Sequence, residues 1–396
     1  MKKKILAAIL ALSIASISGL SAFAADTTDQ EEIKIAEESY VDTVVDMLDK
    51  DWYGGVYYEG DTVHIIATDG NAENIQSLVK RTRNADGVNT IVVDSAANTR
   101  SGDGVYSITE LESAKEYLLS KQDDLGIVAV GFNGEENALA VYLDNYENVT
   151  DEQKDAIVTE SEVKNIMFRD AKVFLFMGED VVIEENETAE DNEAVVSPRA
   201  ANAIKGGDWL CYSNGSKWST LTTSAVYDFG GANQQKGLFT CGHGWNVGDS
   251  VYWNGQKIGT VMIRNQSGDT DFSFVKISSD AYNTKGYMLG GKIQLTGRRN
   301  PSTSMSIKSF GAVGGVRTGK VLDTNISGEW SNIYFDDLFS TTIPTNNGDS
   351  GSAYTYNDTD LVGILKGGYG GYSVSVGTKI MNIINQYNVQ PSYSSK

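Results

Sequence analysis

The chain has 396 residues, 40% of them hydrophobic, which is enough to bury two ordinary cores. Its formal net charge of −21 is unevenly spread. Residues 25–200 carry 13 basic and 40 acidic side chains, whereas residues 201–396 carry 16 and 13. That balance argues against a nucleic-acid binder and suits two units that attract one another.

The first residues, Met1-Lys2-Lys3-Lys4, precede an apolar run from Ile5 to Leu20 and then Ser21-Ala22-Phe23-Ala24-Ala25. This is the layout of a secretory signal peptide over 1–24, so the product is expected to be exported, extracellular and free of the membrane. From Asp29 to Lys50, apolar residues at Ile33, Ala36, Tyr40, Val41, Val44, Val45 and Leu48 predict a helix. Strands are expected at 53–59, 62–67 and 90–94 around a helix near 72–82. Capping boxes at Ser107/Glu110 and Thr150/Gln153 open two further helices, with strands at 126–131, 137–143 and 172–177. Residues 25–178 therefore read as an α+β unit.

Residues 179–202 form an acidic, polar linker with little to bury, suited to proteolytic processing. Beyond Pro198-Arg199-Ala200-Ala201, glycine becomes frequent and short β-rich runs recur at 236–240, 251–253, 258–263, 272–277, 317–323, 361–366 and 372–376. Asn-Gly and Gly-Asp turns separate them, which predicts an all-β barrel or sandwich over 203–396. Only Thr378 to Tyr387, near the end, has a helical pattern.

Three motifs in this second half belong together: Phe239-Thr240-Cys241-Gly242-His243-Gly244, Asp271-Phe272-Ser273-Phe274-Val275, and Asn347-Gly348-Asp349-Ser350-Gly351-Ser352. A serine hydroxyl is a poor nucleophile near neutral pH unless an imidazole takes its proton. A buried carboxylate holds that imidazole in the right tautomer. Glycines beside the serine let backbone N–H groups converge on an oxyanion, here the amides of Gly348 and Ser350. His243, Asp271 and Ser350 thus form a candidate triad, in the chain order His, Asp, Ser.

On these residues the segment 203–388 resembles the bacterial chymotrypsin-like proteases of the streptogrisin and α-lytic type. The matching motifs are Lys205-Gly206-Gly207-Asp208, Thr240-Cys241-Gly242-His243, Asp271, Gly348-Asp349-Ser350-Gly351 and Val362-Gly363-Ile364. Tyr106-Ser107-Ile108-Thr109-Glu110-Leu111 and Asn137-Ala138-Leu139-Ala140-Val141 resemble that family's pro-regions. The resemblance implies two six-stranded antiparallel β-barrels with a C-terminal helix. It also implies secreted serine endopeptidase activity and a pro-region at 25–178 that assists folding and then inhibits. Protein or peptide substrates, a monomer and no cofactor go with it.

The chain departs from that pattern in places. Ser352 replaces a usual glycine, and Gly244 stands where a cysteine normally follows the histidine. The two cysteines, Cys211 and Cys241, are expected to form one disulfide in an exported protein. Leu365, Lys366, Gly367 and Gly368 are expected at the substrate pocket. The family usually has a serine at position 366, so Lys366 pairs with Asp271, enters the cleft, or marks a shifted alignment. Asp349 needs a cation or several donors, with Lys308 the first candidate and Arg317 the next. His64 reads as structural, and no His or Cys stands at ligand spacing, so no metal site is expected. Two rival readings stay open: a catalytically impaired protease-fold binding protein, and a surface protein acting through its acidic half.

Overall fold

Ser39 caps the first helix, Tyr40–Asp46, by accepting the N–H of Asp42 at 3.2 Å. The computed structural model describes residues 33–394 except for 83–89, 96–103, 175–202, 214–217, 223–226, 229–236, 254–255, 278–282, 289–292, 369–373 and the single residues 36, 331, 388 and 390. The expected signal peptide and acidic linker lie outside the described residues. Residues 33–394 fall into one compact unit.

Upstream of Ser39 the chain does not continue the expected helix. It forms strands Ile33–Ile35 and Glu37–Glu38 instead, which pair with Pro391–Ser394 and Gly297–Arg298. Pairing with distant strands overrides the helical spacing there. Downstream, Tyr53–Glu59, Thr62–Ala67 and Ile91–Asp94 make one sheet beside helix Ala72–Thr82. Helices Ile108–Ser120 and Asp151–Ser161 begin at the two expected capping boxes, both fully formed. They cover a second sheet of Ile127–Asn133, Ala138–Leu143 and Ile166–Asp170. Leu111, Leu118, Val130, Phe132, Leu139, Val141 and Ile157 close the core between them.

The second half is mostly β. A six-stranded sheet runs from Trp218–Thr222 through Trp209–Ser213, Ser250–Trp253, Gln256–Asn265 and Phe272–Ile277 to Gly237–Thr240. Most of the remaining strands lie in a larger sheet, with Ser306–Gly311, Ala353–Tyr356, Asp360–Gly368, Ser375–Lys379 and Ile333–Thr341 as consecutive neighbours. Phe239, Phe272 and Phe274 of the first sheet pack with Phe310, Ala353 and Ile364 of the second and with Ile380 and Ile383 of the last helix, Ile380–Tyr387.

The larger sheet does not stop at the second half. Strand Thr324–Trp330 pairs on one side with Ile333–Thr341 and on the other with Ile127–Asn133 of the first half. Beneath this junction the Asp323 side chain is fully buried. Arg169 grips it with two hydrogen bonds, Nε to Oδ2 at 3.0 Å and Nη2 to Oδ1 at 3.1 Å. Tyr142 Oη donates to Oδ2 at 2.8 Å and Asn133 Nδ2 to Oδ1 at 3.1 Å. Every one of these donors comes from the first half, so the two halves share one satisfied buried charge.

A second contact between the halves is pH-sensitive. Asp42 is 5% exposed and accepts the N–H of Asn300 at 2.7 Å. Burial pushes its carboxyl up to about 7, against the pull of the Asn300 hydrogen bond and Arg299. A carboxyl raised on folding binds more protons folded than unfolded, so stability falls as pH rises from the ordinary carboxylate range through about 7. Asp42→Asn mimics the protonated form. It is expected to melt with the wild type in acid and above it at pH well past about 7, a difference that thermal unfolding at both pH values measures. Equal melting at both would refute the assignment.

Candidate active site

Antiparallel pairing of Gly237–Thr240 with Phe272–Ile277 sets Thr240 opposite Ser273. The residues that leave one strand end and enter the other, Cys241 to His243 and Asp271, therefore meet. Asp271 is completely buried, and both of its carboxylate oxygens are engaged. Its Oδ1 accepts the N–H of Gly242 at 2.7 Å and of His243 at 2.8 Å, and its Oδ2 lies 2.6 Å from His243 Nδ1. The Asp271 N–H donates to Thr378 Oγ1 at 3.0 Å. An ionised carboxylate has no proton to give, so Nδ1 is the donor and the neutral ring presents Nε2 as a base. Gly242 is required here, because a Cβ would come within 1.7 Å of Asn265 O and 2.8 Å of Asp271 Oδ1.

The electrostatics follow from this cage. Burial raises the Asp271 carboxyl, but His243, Lys366 and the hydrogen bonds outweigh it and hold the group well below the usual carboxylate range. Burial lowers the His243 imidazole, yet the Asp271 charge, with Cys241 adding to it, lifts it well above the ordinary histidine range.

Ser350 sits in the turn between strands Ile333–Thr341 and Ala353–Tyr356 and is half-buried. Gly348 and Gly351 flank it at φ of 93° and 89°, the left-handed region that glycine enters without strain. Gly351 N–H donates to Leu365 O at 2.9 Å, and Leu365 N–H donates to Ser352 O at 2.8 Å. The turn is thus clamped to strand Asp360–Gly368, one residue from Lys366. Lys366 Nζ in turn lies 3.5 Å from Asp271 Oδ2. These contacts bring the Ser350 turn and the His243–Asp271 pair to one neighbourhood, although no hydrogen bond joins Ser350 to His243 among the described residues.

Asp349, 2% exposed, braces the turn from beneath. It accepts N–H groups from Val313 at 2.9 Å, Gly314 at 2.8 Å and Asn346 at 3.0 Å. Arg317 Nη1 stands 4.0 Å from Oδ2. Lys308, the first candidate for this role, pairs with Asp358 at 2.6 Å instead. Backbone donors carry no side-chain signature, which is why the sequence does not reveal the partners of Asp349. Nor does it reveal Thr378 as the partner of the Asp271 amide.

The disulfide expectation is not met. Cys211 and Cys241 remain thiols. Their strands are separated by three others in the six-stranded sheet, and Cys241 Sγ lies 3.5 Å from His243 O. Among the four residues expected at the pocket, Leu365 is 1% exposed and packs in the core with Phe339 and Tyr354. Lys366 is 2% exposed and faces Asp271 rather than a cleft. An added Cβ at Gly367 meets no described atom within 4 Å, whereas one at Gly368 meets Thr345 Oγ1 at 2.6 Å. His64 lies in the first half, stacked on Tyr57 at 4.7 Å and 2.9 Å from Asp94 Oδ2. No cluster of three or more metal-binding side chains occurs among the described residues, and no helix there is long and apolar enough to cross a membrane.

No protein-family model matches the chain, and no curated protein matches it. Among solved structures the chain is similar to bacterial chymotrypsin-like serine proteases over about half its length. Thermobifida fusca protease A shares 23% identity, covering 49% of this chain and 100% of that one, at a TM-score of 0.42. A Nocardiopsis protease shares 18% identity over 48% of this chain and 98% of that one, with a TM-score of 0.40. An α-lytic protease homolog shares 21% over 48% and 99%, with a TM-score of 0.40.

Proposed function

We propose that the chain is the precursor of a secreted serine endopeptidase with His243, Asp271 and Ser350 as its triad. The observation that carries this reading is the buried Asp271 carboxylate, which takes His243 Nδ1 on one oxygen and two backbone N–H groups on the other. In the proposed reaction Ser350 Oγ attacks a peptide carbonyl while His243 Nε2 takes its proton. The amides of Gly348 and Ser350 receive the developing oxyanion. His243 then protonates the leaving amine, and water releases the acyl group by the reverse sequence. In this reading residues 203–396 complete two six-stranded barrels once residues 25–178 depart, and Gly367 borders the pocket. Substrates are proteins or peptides, and the partner before maturation is the chain's own first half. The exported product acts as a monomer, without nucleic acid, membrane or cofactor.

One observation favours a second reading, a protease-fold binding protein that has lost turnover: Ser350 makes no hydrogen bond to His243 among the described residues. Catalytic hydrogen bonds often tighten only when substrate binds, so the first reading is preferred. A serine-directed phosphonylating reagent separates the two. Stoichiometric labelling of Ser350 supports the enzyme, and an unlabelled Ser350 supports the binding protein.

The pH profile tests the base. Because Asp271 lifts His243 above the ordinary histidine range, the ring is protonated and idle in acid. The value of kcat/KM is expected to be low below pH of about 6 and still climbing past about 7. A maximum well under pH of about 5 would point to carboxylate chemistry instead.

A further inference from the structure

Lys366 is an ammonium with almost no access to water, and it stands beside the Asp271 carboxylate, with Nζ 3.5 Å from Oδ2. The backbone sets this placement. Strand Asp360–Gly368 pairs with Ser375–Lys379 in register up to Leu365–Gly377 and resumes at Gly367–Val376, so Lys366 is the extra residue of a β-bulge. Bulges re-aim a side chain beside functional sites at the expense of ladder hydrogen bonds. Leu365, immediately before, stays in the apolar core, so the bulge delivers a charge to the site without disturbing the packing.

The charge balance of the buried cluster gives this lysine a role. His243 and Asp271 alone carry one negative charge when the ring is neutral and none when it is protonated. With Lys366 the same states carry zero and one positive charge. A buried site resists net charge, so Lys366 makes the imidazolium harder to form. Of the other titratable groups around the ring, Cys241, whose Sγ donates to the His243 carbonyl, acts in the opposite sense and raises the imidazole, and Arg264 Nε donates to Gly242 O at 3.0 Å on the backbone side.

We propose that Lys366 is a positioning residue that fixes Asp271 and offsets its charge, so that His243 remains a neutral base at lower pH than Asp271 alone would allow. This rests on the triad reading but is tested apart from it. The full chain has two histidines, His64 and His243, and in a Ser350→Ala background their imidazole resonances can be titrated by NMR with no turnover required. Removing one unit charge at this range is expected to move the His243 transition up by about one pH unit in Lys366→Met. Lys366→Ser is the second variant, since a hydroxyl can still donate to Asp271 if Lys366→Met folds poorly. Lys366→Arg keeps the charge and is expected to titrate like the parent. The His64 transition, set by its contacts with Tyr57 and Asp94 in the first half, should not move in any of them.

A His243 transition unchanged or lowered in both neutral variants overturns the proposal. So does a peptide-library profile that changes preference with no shift at His243, because Lys366 would then read substrate. If Ser350 resists labelling while the His243 shift appears, the protease reading fails and the role of Lys366 stands. Labelling of Ser350 with no shift at His243 means the reverse.

Discussion

Ser350→Ala is expected to abolish peptide hydrolysis while leaving the fold intact, and His243→Ala to lower kcat by several orders of magnitude. The serine makes no side-chain hydrogen bond to His243 among the described residues, and its turn is held by backbone bonds, so removing one oxygen leaves the frame untouched. Asp349 below retains its three N–H donors. Losing the base leaves only oxyanion-hole and binding contributions, which in such triads amount to roughly 10³–10⁴ over water. The effects should not add: the double variant is expected to be no slower than either single one, because the two groups act as a unit. Residual activity in pure Ser350→Ala, with thermal unfolding like the parent, would remove Ser350 from the mechanism.

The pieces of this site are legible in the sequence to very different degrees. His243, Asp271 and Ser350 can be singled out because the chemistry demands those residue types, and each lies at a strand–loop junction. The partner of Lys366 cannot be chosen among the alternatives, since a β-bulge inserts one residue and leaves no mark in the hydrophobic pattern. The brace under Asp349 is hidden for another reason. Its three N–H donors are main-chain amides, so no residue type announces them.

The fold shows the same division. Helices with capping boxes at Ser107 and Thr150 can be placed to within a residue, because local hydrogen bonds define their starts. Strand Thr324–Trp330 leaves little trace in the sequence because Asn325 has a positive φ of 51° and the register shifts between Ile326 and Gly328, which breaks the alternation. Strand Ile333–Thr341 carries Asp337 at φ 50° and is obscured likewise. Of the predicted strand at 172–177, residues 175–177 lie outside the described residues and 172–174 are not strand. The chain pairs earlier, over Ile166–Asp170, and Ala171–Phe174 makes a single turn that buries Phe174 against Phe335 at 5.0 Å. The two cysteines show why composition misleads: two thiols behind an expected export signal suggest a bridge, but strand order separates them.

Residues 201–396 produced without the first half are expected to stay inactive and poorly folded, and separately added 25–200 to restore activity and then inhibit when in excess. A β-rich chain with many non-local pairings and frequent glycine orders its backbone before it gains contacts, so its folding is slow. The first half offers a strand edge, Ile127–Asn133, on which Thr324–Trp330 can pair, and a set of donors for Asp323. Without the first half Asp323 loses all three of those side-chain partners, and Thr324–Trp330 becomes an unpaired sheet edge. Arg169→Met isolates this contact, since the side chain keeps its apolar stem but loses both hydrogen bonds. Breaking a buried pair from one side costs about 3–5 kcal/mol, so inhibition by the variant first half should weaken roughly 10²–10⁴-fold. Salt gives a second handle. The contrast between 40 acidic and 13 basic side chains in residues 25–200 and the slightly basic remainder is screened at high ionic strength, whereas the Asp323 contact is not. High salt is therefore expected to weaken inhibition by the parent first half only partly, and the Arg169→Met form should lose most of what remains. If residues 201–396 fold alone to full activity and ignore added 25–200, the first half is neither a folding assistant nor an inhibitor. If Arg169→Met inhibits as well as the parent, the buried Asp323 contact is not what holds the halves together.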